Sequence, residues 1–144
     1  MVKTSVIVDG FSVAPNLTEN DFPALAAAGY KTIINNRHDG EEPNQLTAAQ
    51  AQKLAEENGL SYLHIPIAIQ AITPTDVEQF SNALKTNPGP ILAHCKTGTR
   101  SCLLWAMTTA KEKTLTIDEL MQCAAKGGYD LSNMRSLVER SAAT

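Results

Sequence analysis

An apolar run, Pro90-Ile91-Leu92-Ala93, leads into His94-Cys95-Lys96-Thr97-Gly98-Thr99-Arg100-Ser101, and helix-forming spacing then continues to Lys111. Buried strand, short polar loop and helix in that order constrain the chain more than any other feature does. Peptide N–H groups without intrahelical partners converge at a helix start, and the aligned peptide dipoles add roughly half a positive charge there. A cysteine at that point has its thiolate form stabilised by the same donors, so Cys95 is expected to be a reactive thiolate. Gly98 permits the backbone turn that points successive N–H groups inward, and Arg100 supplies a planar, permanently charged fork. Lys96, Thr97, Gly98, Thr99, Arg100 and Ser101 together read as an anion cradle. Ser101 or Thr99 is expected to donate a hydroxyl to the sulfur, and His94 to brace the loop through a ring nitrogen. Without these neighbours, a lone cysteine after a buried strand would read as an inert core residue.

Helical and strand patterns alternate along the rest of the chain without an internal repeat. Val6-Ile7-Val8 reads as a short strand, Gly10 to Leu17 as irregular, and Thr18 as the cap of a helix to Ala28. Lys31 to Asn36 reads as a second strand and Arg37 to Gln45 as a loop. Thr47 opens a helix to Asn58, and Leu60 to Ile69 reads as a third strand buried on both faces. Thr73-Pro74-Thr75-Asp76 carries a cap, a first-position proline and an acidic third residue, which start a helix to about Leu84. Helices from Thr116 to Lys126 and from Ser132 to Ala142 follow. The fold class is α/β, with a central, mostly parallel sheet of about four strands flanked by helices, and the 144 residues suit one domain. In such sheets ligands gather at the carboxyl ends of strands, where Cys95 falls.

The net charge of −3 offers no basic surplus for a phosphate backbone, so nucleic acid is not an expected partner. No run approaches the ~18 apolar residues of a membrane span, and Met1 to Val6 lacks a signal-peptide core, so a cytoplasmic location is expected. Cys95, Cys102 and Cys123 are too few for a disulfide framework, and no Cys/His spacing suggests a metal. No cofactor is implied.

The segment His94 to Ser101, with Tyr62-Leu63-His64-Ile65-Pro66 upstream, resembles the cysteine-dependent dual-specificity phosphatase fold. Gly29 to Arg37, followed by Gly40-Glu41-Glu42, resembles more specifically the small bacterial phosphatase-like domain of beta-lactamase hydrolase-like proteins, from about Phe11 to Lys111. That family can be fused to persulfide dioxygenase domains, so the resemblance adds such an enzyme as an expected partner. Two departures stand out. Only Lys96, Thr97, Gly98 and Thr99 separate Cys95 from Arg100, one residue fewer than in phosphatases of this type, and the shorter loop resembles that of rhodanese sulfurtransferases. Where these phosphatases carry an aspartic acid that protonates the leaving oxygen, Ala68, Ile69 and Gln70 stand here.

Sulfur transfer places weaker demands on a protein acid, because sulfite or a stabilised thiolate leaves without the proton that an alkoxide requires. The leading expectation is therefore a sulfurtransferase in which Cys95 takes the outer sulfur of thiosulfate or a small persulfide and passes it to a thiol, with Arg100 binding the donor. The alternative is phosphomonoester hydrolysis through a Cys95 phosphocysteine, with Asp76, Asp39 or Glu41 as acid, although Asp76 also fits a helix capping box. A non-catalytic anion-binding module is the third reading. Arg37 is a candidate second anion contact, and Glu41 a weaker site candidate in a loop whose charges, Asp39 and Glu42 included, are more often simply solvated. Cys102, Cys123, His64 and Trp105 read as structural, and His38 as a loop residue.

Overall fold

The computed structural model describes residues 3–144. Five strands, β1 (Ser5–Val8), β2 (Phe11–Ala14), β3 (Thr32–Asn35), β4 (Ser61–His64) and β5 (Ile91–His94), form one sheet in the order β1-β2-β5-β3-β4. All pairings are parallel except the β1–β2 hairpin. Six helices surround it: α1 (Asp21–Ala27), α2 (Ala48–Glu57), α3 (Pro74–Thr86), α4 (Thr99–Glu112), α5 (Ile117–Lys126) and α6 (Arg135–Ala142).

The alternation of side chains along a strand sorts the core into two layers. Val13, Ile34 and Ala93 face one side, where Trp105, Leu103, Phe80, Leu120 and Val138 from α3, α4, α5 and α6 cover them. Ala14, Ile33 and Leu92 face the other, under Phe22 and Leu25 of α1 and Ala51 and Ala55 of α2. Trp105 is core as expected, its ring stacked on Phe11 at 6.4 Å between centroids. The helix starts follow local chemistry: Thr47/Gln50, Thr73/Asp76 and Thr116/Glu119 each form the reciprocal capping box that satisfies two orphan N–H groups. Asp76 is thus a capping residue. No helix among the described residues is long and apolar enough to cross a membrane.

Three expectations are corrected. The Gly10–Leu17 stretch is not irregular but contains β2, whose hydrogen bonds come from β1 and from the distant β5. The sheet therefore has five strands. Asp9-Gly10, with Gly10 at φ 84°, makes the tight turn between β1 and β2, a hairpin signal that the short flanking runs obscured. The third predicted strand ends at His64, because Pro66 has no N–H to extend a ladder and Ile69–Ala71 forms a 3-10 turn. As an edge strand with only β3 beside it, β4 is exposed or half-buried along its length and not buried on both faces. Finally, α1 starts at Asp21, with Thr18 hydrogen-bonded to the Asp21 carboxylate three residues on.

Candidate active site

Two loops leave the carboxyl ends of the adjacent strands β5 and β3, and they meet. The loop after β5 is held by its neighbours on both sides: Asn36 N donates to His94 O at 2.8 Å and Asn16 N to Lys96 O at 3.1 Å. Gly98, in the left-handed region at φ 98°, is the N-cap of α4, which begins two residues earlier than its spacing predicts. The left-handed turn aims the Gly98 N–H at the Cys95 sulfur, 3.1 Å away. Cys95 itself is 1% exposed, so the sulfur lies on the floor of the loop while Lys96 and Thr97 stand in solvent above.

Neither expected hydroxyl reaches that sulfur. Ser101 Oγ donates to Asn36 Oδ1 at 2.7 Å, which ties the first turn of α4 to the end of β3. Thr99 Oγ1 accepts from Thr97 Oγ1 at 3.0 Å. His94 does not brace the loop through its ring: both ring nitrogens lack a hydrogen-bond partner among the described residues. Burial, and then the Arg37 charge, hold its pKa down to about 3, so the imidazole is neutral.

Arg100 reaches across to the second loop. Its two terminal nitrogens donate to the Glu41 carboxylate at 2.7 and 2.8 Å, and Nη1 also approaches Ile67 O at 3.2 Å. Glu41 further accepts from Arg37 Nε at 3.0 Å and from the His38 N–H at 2.8 Å. The Arg100 hydrogen bonds above all hold the Glu41 carboxyl far below the usual carboxylate range, outweighing its partial burial. Arg37 does not face the cradle as an anion contact. It is 1% exposed, with Nη1 on Asn16 at 2.7 Å and Nη2 on Glu42 at 2.8 Å, so it fixes the acidic loop in place. His64 is structural too, Nε2 lying 2.6 Å from Arg37 O.

Around Arg100 lies an open depression of about 280 Å³, lined by His38, Glu41, Ile67, Ala68, Ile69 and Gln70. The other two acids considered from sequence are engaged elsewhere: Asp39 accepts from Ala48 N at the start of α2, and Asp76 caps α3. Cys102 is fully buried behind the loop, its thiol pushed up to about 12 by burial and then by the Cys95 charge. Cys123 is half-buried against the core.

Sequence reading passed over Asn36 and Tyr129. Asn36 is fully buried and joins Ser101 to Ile65 O, an arrangement that a polar residue at a strand end does not advertise. Tyr129 donates to Thr97 O at 3.1 Å from the turn after α5. The paired Gly127-Gly128 before it was the available signal of a sharp return toward the loop.

The comparisons with known proteins bear on what this geometry serves. Residues 4–112 match the family model described as the phosphatase-like domain of beta-lactamase hydrolase-like proteins. The beta-lactamase hydrolase-like protein of Xylella fastidiosa strain 9a5c is 38% identical over 128 residues, covering 89% of this chain and 29% of its own. The chain thus spans under a third of the curated relatives it matches. A solved candidate phosphatase of Neisseria meningitidis is 34% identical with a TM-score of 0.87, over 95% of this chain and 96% of that one. A kinase associated phosphatase shares the fold, with a TM-score of 0.71 at 15% identity, over 100% and 97% of the two chains.

These findings overturn the sulfurtransferase expectation. It rested on the length of one loop and on the absence of an acid at Ala68-Ile69-Gln70, whereas the likeness to phosphatases extends over nearly the whole chain and includes its sheet and helices. The cysteine loop, the paired acidic loop and the five-stranded sheet beneath them form a cysteine-phosphatase-like fold, and with well over half of its residues matched the chain belongs to the family of the phosphatase-like domain of beta-lactamase hydrolase-like proteins.

Proposed function

We propose that this chain is a cysteine-dependent phosphatase that hydrolyses phosphomonoesters through a Cys95 phosphocysteine. The observation that carries the reading is the Gly98 N–H on the Cys95 sulfur at 3.1 Å, at the N-terminus of α4, where peptide dipoles favour negative charge. The thiolate attacks phosphorus and the bond to the leaving oxygen breaks, giving phosphocysteine and an alkoxide or phenoxide. Water then cleaves the S–P bond, releasing inorganic phosphate and restoring the thiolate. The loop N–H groups and Arg100 stabilise the equatorial oxygens in both steps.

The bidentate Glu41 pair occupies the face of Arg100 that a phosphoryl group would use, so substrate displaces Glu41 or binds beside it. Asp39, Glu41 and Asp76 are each held by other partners and are poor proton donors to a leaving group. Phenoxide, which departs without protein help more easily than alkoxide, is therefore the favoured leaving group. General acid catalysis contributes about 10²–10⁴-fold where it operates, and alkyl phosphates are expected to be slower than aryl phosphates by an amount of that order.

The test is turnover of an aryl phosphate by wild type and Cys95→Ser, with an alkyl phosphate in parallel. Activity in wild type and none in the variant supports the reading. The near-complete burial of Cys95 and the closed Glu41–Arg100 pair favour one second reading, a non-catalytic anion-binding module. Phosphate binding by a wild type that turns over neither ester would select it.

A further inference from the structure

Tyr129 lies outside the residues matched to the family, 4–112, yet it contacts the loop that holds Cys95. Its hydroxyl donates to Thr97 O at 3.1 Å, and the Gly98 N–H donates to Cys95 Sγ at 3.1 Å. Thr97 C=O and Gly98 N–H are the two ends of one peptide group. A donor on the carbonyl of an amide draws electron density toward oxygen and leaves the N–H a stronger donor, the cooperative effect expected along a chain of hydrogen bonds.

We infer that Tyr129 is a positioning residue that strengthens and aims the Gly98 N–H on the Cys95 sulfur through the shared Thr97–Gly98 peptide. The packing enforces this geometry. A Cβ at Gly98 would overlap the Tyr129 hydroxyl and come within 2.6 Å of ring carbon Cζ, so only glycine lets the ring approach the loop backbone. The ring is delivered by the end of α5, where Gly128 turns at φ 96° and Tyr129 N donates to Ala124 O at 2.9 Å. The tyrosine is partly buried and packs against the core. Burial above all raises the Tyr129 pKa, which keeps its hydroxyl protonated as a donor. Arg100 and Cys102 also feel the Cys95 charge, and Tyr129→Phe removes neither.

The experiment is the pH profile of Cys95 alkylation by iodoacetamide in wild type, Tyr129→Phe and Tyr129→Ala, with melting temperature and aryl phosphate kinetics alongside. In Tyr129→Phe the half-maximal pH is expected to move up by roughly 0.1–0.7 unit, with kcat/KM falling by up to about fivefold and the melting temperature nearly unchanged. Tyr129→Ala should shift further and also melt lower. A Tyr129→Phe profile that superimposes on wild type overturns the inference, as does a Tyr129→Ala protein that melts lower without moving its profile. Only the kinetic arm rests on the phosphatase reading: a shifted profile in a protein without wild-type turnover would defeat that reading and leave the inference standing.

Discussion

The loops after β5 and β3 are joined by the Arg100–Glu41 pair but are built by opposite means. The β5 loop is a backbone device: Gly98 at φ 98°, one peptide N–H on sulfur and a helix start behind it. The β3 loop is a side-chain device, in which Arg37, buried at 1% exposure, is ringed by Asn16, Glu41 and Glu42 and presents Glu41 to Arg100. Backbone devices concentrate partial charge without a counter-ion, whereas a buried guanidinium persists only if carboxylates answer it. On the proposed reading the first loop therefore favours an anion, and the second supplies one of its own, Glu41, which pairs with Arg100.

Breaking the ion pair that joins the loops should have the largest effect. Arg100→Lys keeps the charge but loses the planar fork, and kcat/KM for an aryl phosphate is expected to fall by about 10²–10³-fold. Steady-state kinetics check this, and a loss under tenfold would mean that the backbone loop alone binds the phosphoryl group. Gly98→Ala attacks the backbone device directly. A left-handed alanine costs about 1–3 kcal/mol, and the clash with Tyr129 adds to it, so urea unfolding should register at least that loss together with slower Cys95 alkylation. Glu41→Gln attacks the side-chain device. Losing charged partners of Arg37 and Arg100 should lower stability by about 1–3 kcal/mol while tightening inorganic phosphate binding, read by calorimetry, because Arg100 is released. Unchanged phosphate affinity would show that Glu41 does not compete for that face.

The last test is in pH dependence, where both loops contribute with the same sign. His94 has its folded pKa depressed to about 3 from 6.5, so the unfolded chain binds the extra proton and stability falls as pH drops below about 6.5, by up to about 1.4 kcal/mol per unit. Glu41, depressed from 4.5, adds loss below about pH 4.5. Urea midpoints measured from pH 7 down to 4 should show the first limb in wild type and lose it in His94→Asn.

The difference between the loops also explains what was legible in the sequence. The strand, Cys95, Gly98 and the helix start sit within a dozen residues, so local rules found the backbone device and the carboxyl end of the sheet that bears it. Capping boxes at Thr47, Thr73 and Thr116 were legible for the same reason. Arg37 was not, since the Asn16 that holds it is twenty-one residues away and nothing local distinguishes a buried arginine from a solvated one. Tyr129 and Ser101 act through partners more than thirty residues distant. The β2 strand was hidden likewise, its ladder to β5 being contributed by the distant segment Ile91–His94. The choice of reaction was misread because loop length and the residues at 68–70 are local features, while the likeness that decides the comparison extends over the whole chain.

The most direct trial of the account is a rapid acid quench of wild type mixed with an aryl phosphate, followed by mass analysis of the peptide containing Cys95. A phosphoryl group on Cys95 that forms before, and decays with, phosphate release is the predicted result. Full turnover with an unmodified Cys95 peptide, or turnover that survives Cys95→Ser, would contradict it.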